Sequence, residues 1–320
     1  MRHERQTVKI VFKQLLDYSR ADFHLASYLY TALFITGALC INYTFSFYRL
    51  FSIHFYSPFN TVYYFIFYAT AYYGIAIPQA IFRKKADVLT KGLFWIKSAV
   101  FLAILSVVSS CFFIRNIKQA PLPPAELRYC LHVVFYLQII VVYSITLLVM
   151  KLVVDRNAPE MYGITCKPFN PRPYLVMVLL IFPLALAVSF RIDFILAYPV
   201  FKPWLYNPAF GLSQWQMVII FELIYGGSII MCELLFRGAF TLGMKPLPDS
   251  QVLLPMTATY VFMHYNKPPL EALGSILAGY ILGVIALRTR CIWAGSIVHV
   301  GTAYVMELTA YVQHYFRYHP

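Results

Sequence analysis

The chain has 320 residues, of which 60% are hydrophobic and only 12% charged, with a formal net charge of +13. A soluble domain of this length carries roughly twice that share of charge, and several uninterrupted apolar runs reach the ~18 residues that span a bilayer. The composition argues against a soluble fold, and against a β-barrel too, because the runs are long and do not alternate. Nor does the positive excess mark a nucleic-acid partner. Lys and Arg cluster between apolar runs, where they orient a membrane protein and meet anionic lipid.

Residues 1–23 mix charged and apolar residues without a continuous hydrophobic core, so no cleavable signal peptide is expected. The stretch "VKIVFKQLLDYSR" within them has apolar residues at helical spacing between lysines, which predicts an amphipathic helix on the cytoplasmic membrane surface. Nine spans follow at about 24–48, 58–82, 93–114, 129–152, 173–190, 214–240, 250–266, 269–287 and 292–312. The expected fold is therefore all-α, a polytopic transmembrane helical bundle. With the N-terminus cytoplasmic, 16 Lys and Arg fall in inner segments and 8 in outer ones, which favours that orientation.

The broad inner loop "DRNAPEMYGITCKPFNPRP" divides the chain. Residues 24–152 form a four-span scaffold region, 153–172 the cytoplasmic loop, 173–313 the region carrying the chemistry, and 314–320 a tail. Spans before the loop are rich in Tyr and Phe and nearly free of internal charge. Spans after it carry Glu222, Glu233, Arg237, His264, Glu271, His299 and Glu307. The six cysteines, Cys40, Cys111, Cys130, Cys166, Cys232 and Cys291, have no CxxC spacing, which argues against a disulfide framework or a zinc ribbon.

A charge near the centre of a membrane helix costs about 2.5–3.5 kcal/mol on insertion scales, so intramembrane ionisable residues are functional candidates. Glu233 and Arg237 lie four residues apart in "IIMCELLFRGAF", and an i,i+4 ion pair explains how the span tolerates them. It does not explain why His264 and His299 follow on later spans. One Glu and two His on three spans suit the activation of water: the carboxylate takes a proton while imidazoles bind the substrate carbonyl and its oxyanion. Spans six to nine should then converge on one polar cavity. Taken as straight helices, they leave Glu233 and His264 on the order of 15 Å apart in depth, a gap that tilt or a partly re-entrant seventh span would close.

In order and context, "CELLFRG", "YVFMH" and "HVGTA" resemble the EExxxR, FxxxH and HxxxN motifs of the CPBP (CAAX protease and bacteriocin-processing, or Abi) intramembrane proteases. "MYGIT" and "ILAGYILGVIALRTRCIWAGSIVH" are similar to segments of the same family, and the resemblance covers roughly residues 160–310. It implies an intramembrane endopeptidase that cleaves a membrane-anchored peptide or protein, in a bacterial inner membrane, with glutamate-activated water and no required cofactor; zinc is possible but not expected. Carried over, it assigns catalytic roles to Glu233, His264 and His299, with Arg237 and Tyr260 supporting.

Two positions depart from the family. Cys232 replaces the first Glu of the first motif, and Ala303 the Asn of the third. A neutral thiol is no carboxylate base. Either another carboxylate compensates or the chain is an inactive Abi-type membrane scaffold that binds a partner protein. "HYNKPPLE" and "YVMEL" supply Glu271 and Glu307 as candidates, in a pattern similar to a subgroup with HxxKPxxE and an acid after the last histidine. Against catalysis, Glu271 suits the first turn of a helix opened by proline, and Glu307 approaches the outer interface.

Overall fold

A computed structural model describes residues 8–318 except 56, 159, 166–168, 245 and 246. The start of the amphipathic segment (residues 1–7), Cys166 and Lys245 in the inner loops, and the last two residues of the tail lie outside the described residues. Thirteen α-helices follow one another: α1 (Val8–Asp22), α2 (Leu25–Phe45), α3 (Arg49–Ile53), α4 (Asn60–Phe82), α5 (Gly92–Ser109), α6 (Phe112–Ile117), α7 (Pro124–Val153), α8 (Arg172–Val188), α9 (Ile192–Ala197), α10 (Gln214–Glu233), α11 (Asp249–Met263), α12 (Pro269–Thr289) and α13 (Trp293–Tyr318). A π-helical segment, Leu234–Leu242, continues α10 without a break. Among the described residues the only β pairings are two isolated bridges, Met161 with Ile164 and Ala209 with Leu212.

The protein is a helical membrane bundle. Each of the nine expected spans falls on a helix, but among the described residues length and apolar composition qualify six: α2, α4, α5, α7, α10 with its π-helical extension, and α12. α8 is apolar but shorter. α11 has 15 residues, which at ~1.5 Å each rise about 22 Å, short of the ~30 Å hydrocarbon layer. The amphipathic stretch is helical as α1, with Val11 and Leu15 buried against the bundle and Phe12 and Leu16 exposed.

Local signals place the helix ends. Ser213 and Gln216 cap α10 reciprocally, each side chain bonding the other's backbone N–H. α7 and α12 both begin at proline, whose missing N–H would be unpaired there anyway. At the N-terminal face, long-range bonds gather distant loops: Arg83 with Asp22, Tyr18 with the Asp249 carbonyl, and the Ile292 N–H with the Gly163 carbonyl. At the far face, Asn42 donates to the Tyr265 carbonyl, and Tyr311 to that of Phe201. Between the two faces α11 packs along α4 and α12, α10 along α7, and α13 along α8. The core joins rings from both halves, such as Phe67 against Phe262 and Tyr72 against Phe240. This brings the charged helices around one interior region.

Candidate active site

Glu233 ends the α-helical part of α10, and the π-helical segment begins at the next residue. A π-turn widens the helix by one residue per turn, and such segments recur at functional sites. Here the Gly243 N–H donates to the Gly238 carbonyl five residues back, and the Thr241 hydroxyl to that of Phe236. Within this segment Arg237 lies beneath Glu233, and both side chains are wholly buried.

The Glu233 carboxylate is the hub. Its Oε1 accepts from Arg237 at 2.8 Å and from Nδ1 of His299 at 2.7 Å. Its Oε2 is buried with no hydrogen-bond partner. Arg237 also donates to the Ala278 carbonyl of α12 at 3.1 Å, and its guanidinium lies 4.4 Å from the centre of the Tyr260 ring. Four elements therefore meet at one ion pair: the π-helix, α11, α12 and α13. His299 is the open member, with 21% of its side chain exposed against none for Glu233.

Tyr260 joins the histidines. Its hydroxyl is 3.4 Å from Nε2 of His299, and its ring is 6.1 Å from that imidazole and 4.5 Å from His264. His264 follows the last residue of α11, and its Nδ1 bonds the Tyr260 carbonyl at 2.7 Å. These partners assign the tautomers: in each imidazole Nδ1 carries the hydrogen and Nε2 remains as the acceptor. His264 is thus linked to Glu233 through Tyr260 and His299, the first two with ring centres 4.5 Å apart, the second two 3.4 Å from hydroxyl to Nε2.

Glu271 and Glu307 belong to a different arrangement. Glu271 Oε1 accepts from the Tyr198 hydroxyl at 2.8 Å and lies 3.5 Å from Lys267, which also donates to Tyr198. Both oxygens of Glu307 accept from the Val200 N–H at 3.0 Å. Neither bonds to Glu233 or to a histidine; they fasten the loop after α9 to α12 and α13. Burial alone would weaken the Lys267 ammonium, but the Glu271 carboxylate, with Tyr225, Tyr136 and Glu307 behind it, holds its pKa above the ordinary lysine value. Glu222 turns two buried, unpartnered carboxylate oxygens into the bundle interior.

The two departures from the family motifs are packing positions. Cys232 is half-buried against the main core. Ala303, one turn beyond His299, is buried in an apolar cluster with Phe221, Tyr225 and Ile229. Among the described residues no three His, Cys, Asp or Glu are placed to hold a metal ion.

Three contributors were missing from the sequence reading. Gly295 lies against Glu233, where a Cβ would stand 2.6 Å from Oε2; the available signal was a glycine one helical turn before His299. Tyr198 and the Ala278 carbonyl left no signal, because nothing local to either refers to its distant partner.

Residues 209–305 match the family model described as type II CAAX prenyl endopeptidase Rce1-like. No curated protein and no solved structure matches the chain. The matched segment begins before α10 and ends within α13, so it takes in Glu233, Arg237, Tyr260, His264, Glu271 and His299 but neither Glu307 nor any of α1 to α9. Residues 209–305 are thus similar to an Rce1-like domain, a match consistent with the CPBP family of intramembrane proteases.

Proposed function

We propose that the chain is an intramembrane endopeptidase that hydrolyses a peptide bond of a membrane-anchored peptide or protein, in a bacterial inner membrane and with a cytoplasmic N-terminus. The bond from a fully buried carboxylate, Glu233, to the partly open imidazole of His299 carries this reading. Arg237 sets its positive charge against the Glu233 carboxylate at 2.8 Å. Glu233 in turn accepts the Nδ1 hydrogen of His299 and stabilises the imidazolium that forms when Nε2 takes a proton from water, as in a carboxylate–histidine dyad. Glu233 thus drives proton removal through His299, because it has no exposed surface of its own. The Tyr260 hydroxyl is the nearest donor to that nitrogen and serves the developing oxyanion. The His299 imidazolium then returns that proton from Nε2 to the leaving amine, and His264, held by the Tyr260 carbonyl, lines the site. The helices before the match act as scaffold.

A second reading, a non-catalytic scaffold that binds a partner protein through the same residues, draws on Ala303 and Cys232, which supply packing where the family motifs supply polar groups. One assay separates the two. The purified full chain is incubated with prenylated and unmodified membrane-anchored peptides, and products are identified by mass. The enzyme reading expects cleavage by the wild type, at least ~10²-fold slower turnover for Glu233→Gln and for His299→Ala, and near-normal turnover for Cys232→Ser. Glu233→Gln cleaving at the wild-type rate would refute the assignment. Binding without cleavage by the wild type, unchanged in both variants, would establish the scaffold.

A further inference from the structure

At the N-terminal face, α2 begins and α4 ends beside a pocket of about 330 Å³, lined by His24, Phe82, Arg83, Lys84 and Lys85. Arg83 is already committed. One guanidinium nitrogen donates to Oδ1 of Asp22 at 3.0 Å and another to the Asp22 carbonyl at 2.8 Å. Asp22 neutralises Arg83 and fixes it as a wall. Among the described residues neither Lys84 nor Lys85 has a side-chain ion pair or hydrogen bond, and both are exposed. Two cations are therefore left uncompensated at the mouth of one pocket.

The backbone there is unusual for its sequence. Lys84 adopts φ +55°, a left-handed conformation in which glycine is the cheaper residue and a lysine is strained. Its N–H and that of Lys85 turn back to the Ile81 and Ala80 carbonyls, ending α4. A lysine held in that conformation keeps a positive charge where a helix-terminating glycine would leave none.

The apolar surroundings narrow the ligand. Phe23, Leu25 and Leu29 are 59%, 67% and 53% exposed and Ile81 is 57% exposed, so apolar surface runs from the pocket along two helices long and apolar enough to cross a membrane. A free anion would use only the two ammonium groups. An amphiphile with an anionic head would use the whole surface, its head at the lysines and its chains along α2 and α4. We propose that this pocket binds the phosphate headgroup of an anionic membrane phospholipid.

The test uses the full chain purified in mild detergent. Dioctanoyl phosphatidylglycerol, dioctanoyl phosphatidylcholine and inorganic phosphate are titrated separately, with binding read by native mass spectrometry and by the thermal midpoint. The anionic lipid should bind and raise the midpoint, while phosphatidylcholine and phosphate at equal concentration should not. The double variant Lys84→Gln/Lys85→Gln should bind phosphatidylglycerol about 30-fold more weakly, the loss expected for two lysines at an anionic surface. Lys84→Gly, which relaxes the backbone as it removes one charge, keeps the test valid should the double variant be unstable, and should weaken binding about 5-fold. Arg49→Gln/Arg317→Gln, the same charge change at the far face, should leave affinity unchanged. Wild-type affinity in the Lys84/Lys85 variant, or equal binding of phosphatidylcholine, would overturn the proposal. An equal response to inorganic phosphate alone would identify a free-anion site and overturn the lipid assignment.

Discussion

Gly295→Ala probes the polar centre by adding one methyl group. The new Cβ would stand 2.6 Å from Oε2 of Glu233, whereas carbon and oxygen in contact rest about 3.3 Å apart. Something must give by roughly 0.7 Å. Glu233 has no slack to absorb this, because Oε1 is held at 2.8 Å by Arg237 and at 2.7 Å by His299. The carboxylate must rotate or α13 must shift outward, and either movement stretches the bond to His299. Overpacking of this kind costs about 1–3 kcal/mol, while alanine in place of a helical glycine returns about 0.5–1 kcal/mol. The net destabilisation is then at most about 2.5 kcal/mol, and the protein should still fold. Turnover is more sensitive, since a misplacement on the order of 1 Å costs about 10²-fold. Gly274→Ala on α12 is the control, because a Cβ there meets nothing within 4 Å; it should gain about 0.5–1 kcal/mol and keep its activity. Thermal midpoints in one detergent and turnover on one membrane-anchored peptide compare the pair. Equal midpoints and equal turnover for the two alanine variants would refute the packing described around Glu233.

Arg237→Ala leaves Glu233 buried without its cation and should destabilise the fold by about 3–5 kcal/mol, read as a fall in midpoint or in the yield of folded protein. Glu271→Gln, at a group bonded to Tyr198 and Lys267, should change turnover by no more than about 3-fold, against the ~10²-fold loss of a general acid–base group; a loss of that larger size would put Glu271 in the chemistry. Tyr260→Phe removes the hydroxyl nearest His299 and should lower kcat by about 10²-fold, the usual effect of losing one oxyanion donor, with the midpoint nearly unchanged. Lys97→Met should cost about 3–5 kcal/mol by stranding Asp155, its largely buried ion-pair partner at 2.6 Å, and Lys97→Met/Asp155→Leu should recover most of that loss, as measured by denaturation of the two variants.

The long helices were legible because a run of apolar residues has one stable form in a bilayer, with its backbone bonds closed inside the helix. Glu233 and Arg237 were legible for a related reason: four residues in a helix set two side chains on one face. Glu271 and Glu307 were harder, because a carboxylate beside a motif histidine looks the same in sequence whether it faces water or fastens a loop. Their partners, Tyr198 and the Val200 N–H, lie in an irregular segment with no periodicity to reveal where it folds back. Lys97 passed unnoticed within an apolar run, yet it is wholly buried, 2.6 Å from Asp155 and donating to the Gly243 carbonyl at the end of the π-helical segment. The π-helical segment itself was invisible, since one extra residue per turn leaves a nine-residue stretch equally apolar.

The spacing of Glu233 and Arg237 also bears on how the polypeptide is inserted during synthesis. The span that carries them is made before α12 and α13, so neither the Ala278 carbonyl nor His299 exists when it must leave the aqueous channel for lipid. Separately, each charge would oppose that transfer by about 2.5–3.5 kcal/mol. Because the partners are one turn apart on the same segment, the pair neutralises itself as soon as that turn has formed, and the 29 residues Gln214–Leu242 can enter the bilayer as a self-compensated unit. Lys97 meets Asp155 only across two elements, and its place near the start of α5 leaves its long side chain within reach of the interface until that partner is synthesised. The order of translation thus favours a local partner for the deep charges and permits a distant one for the shallow charge.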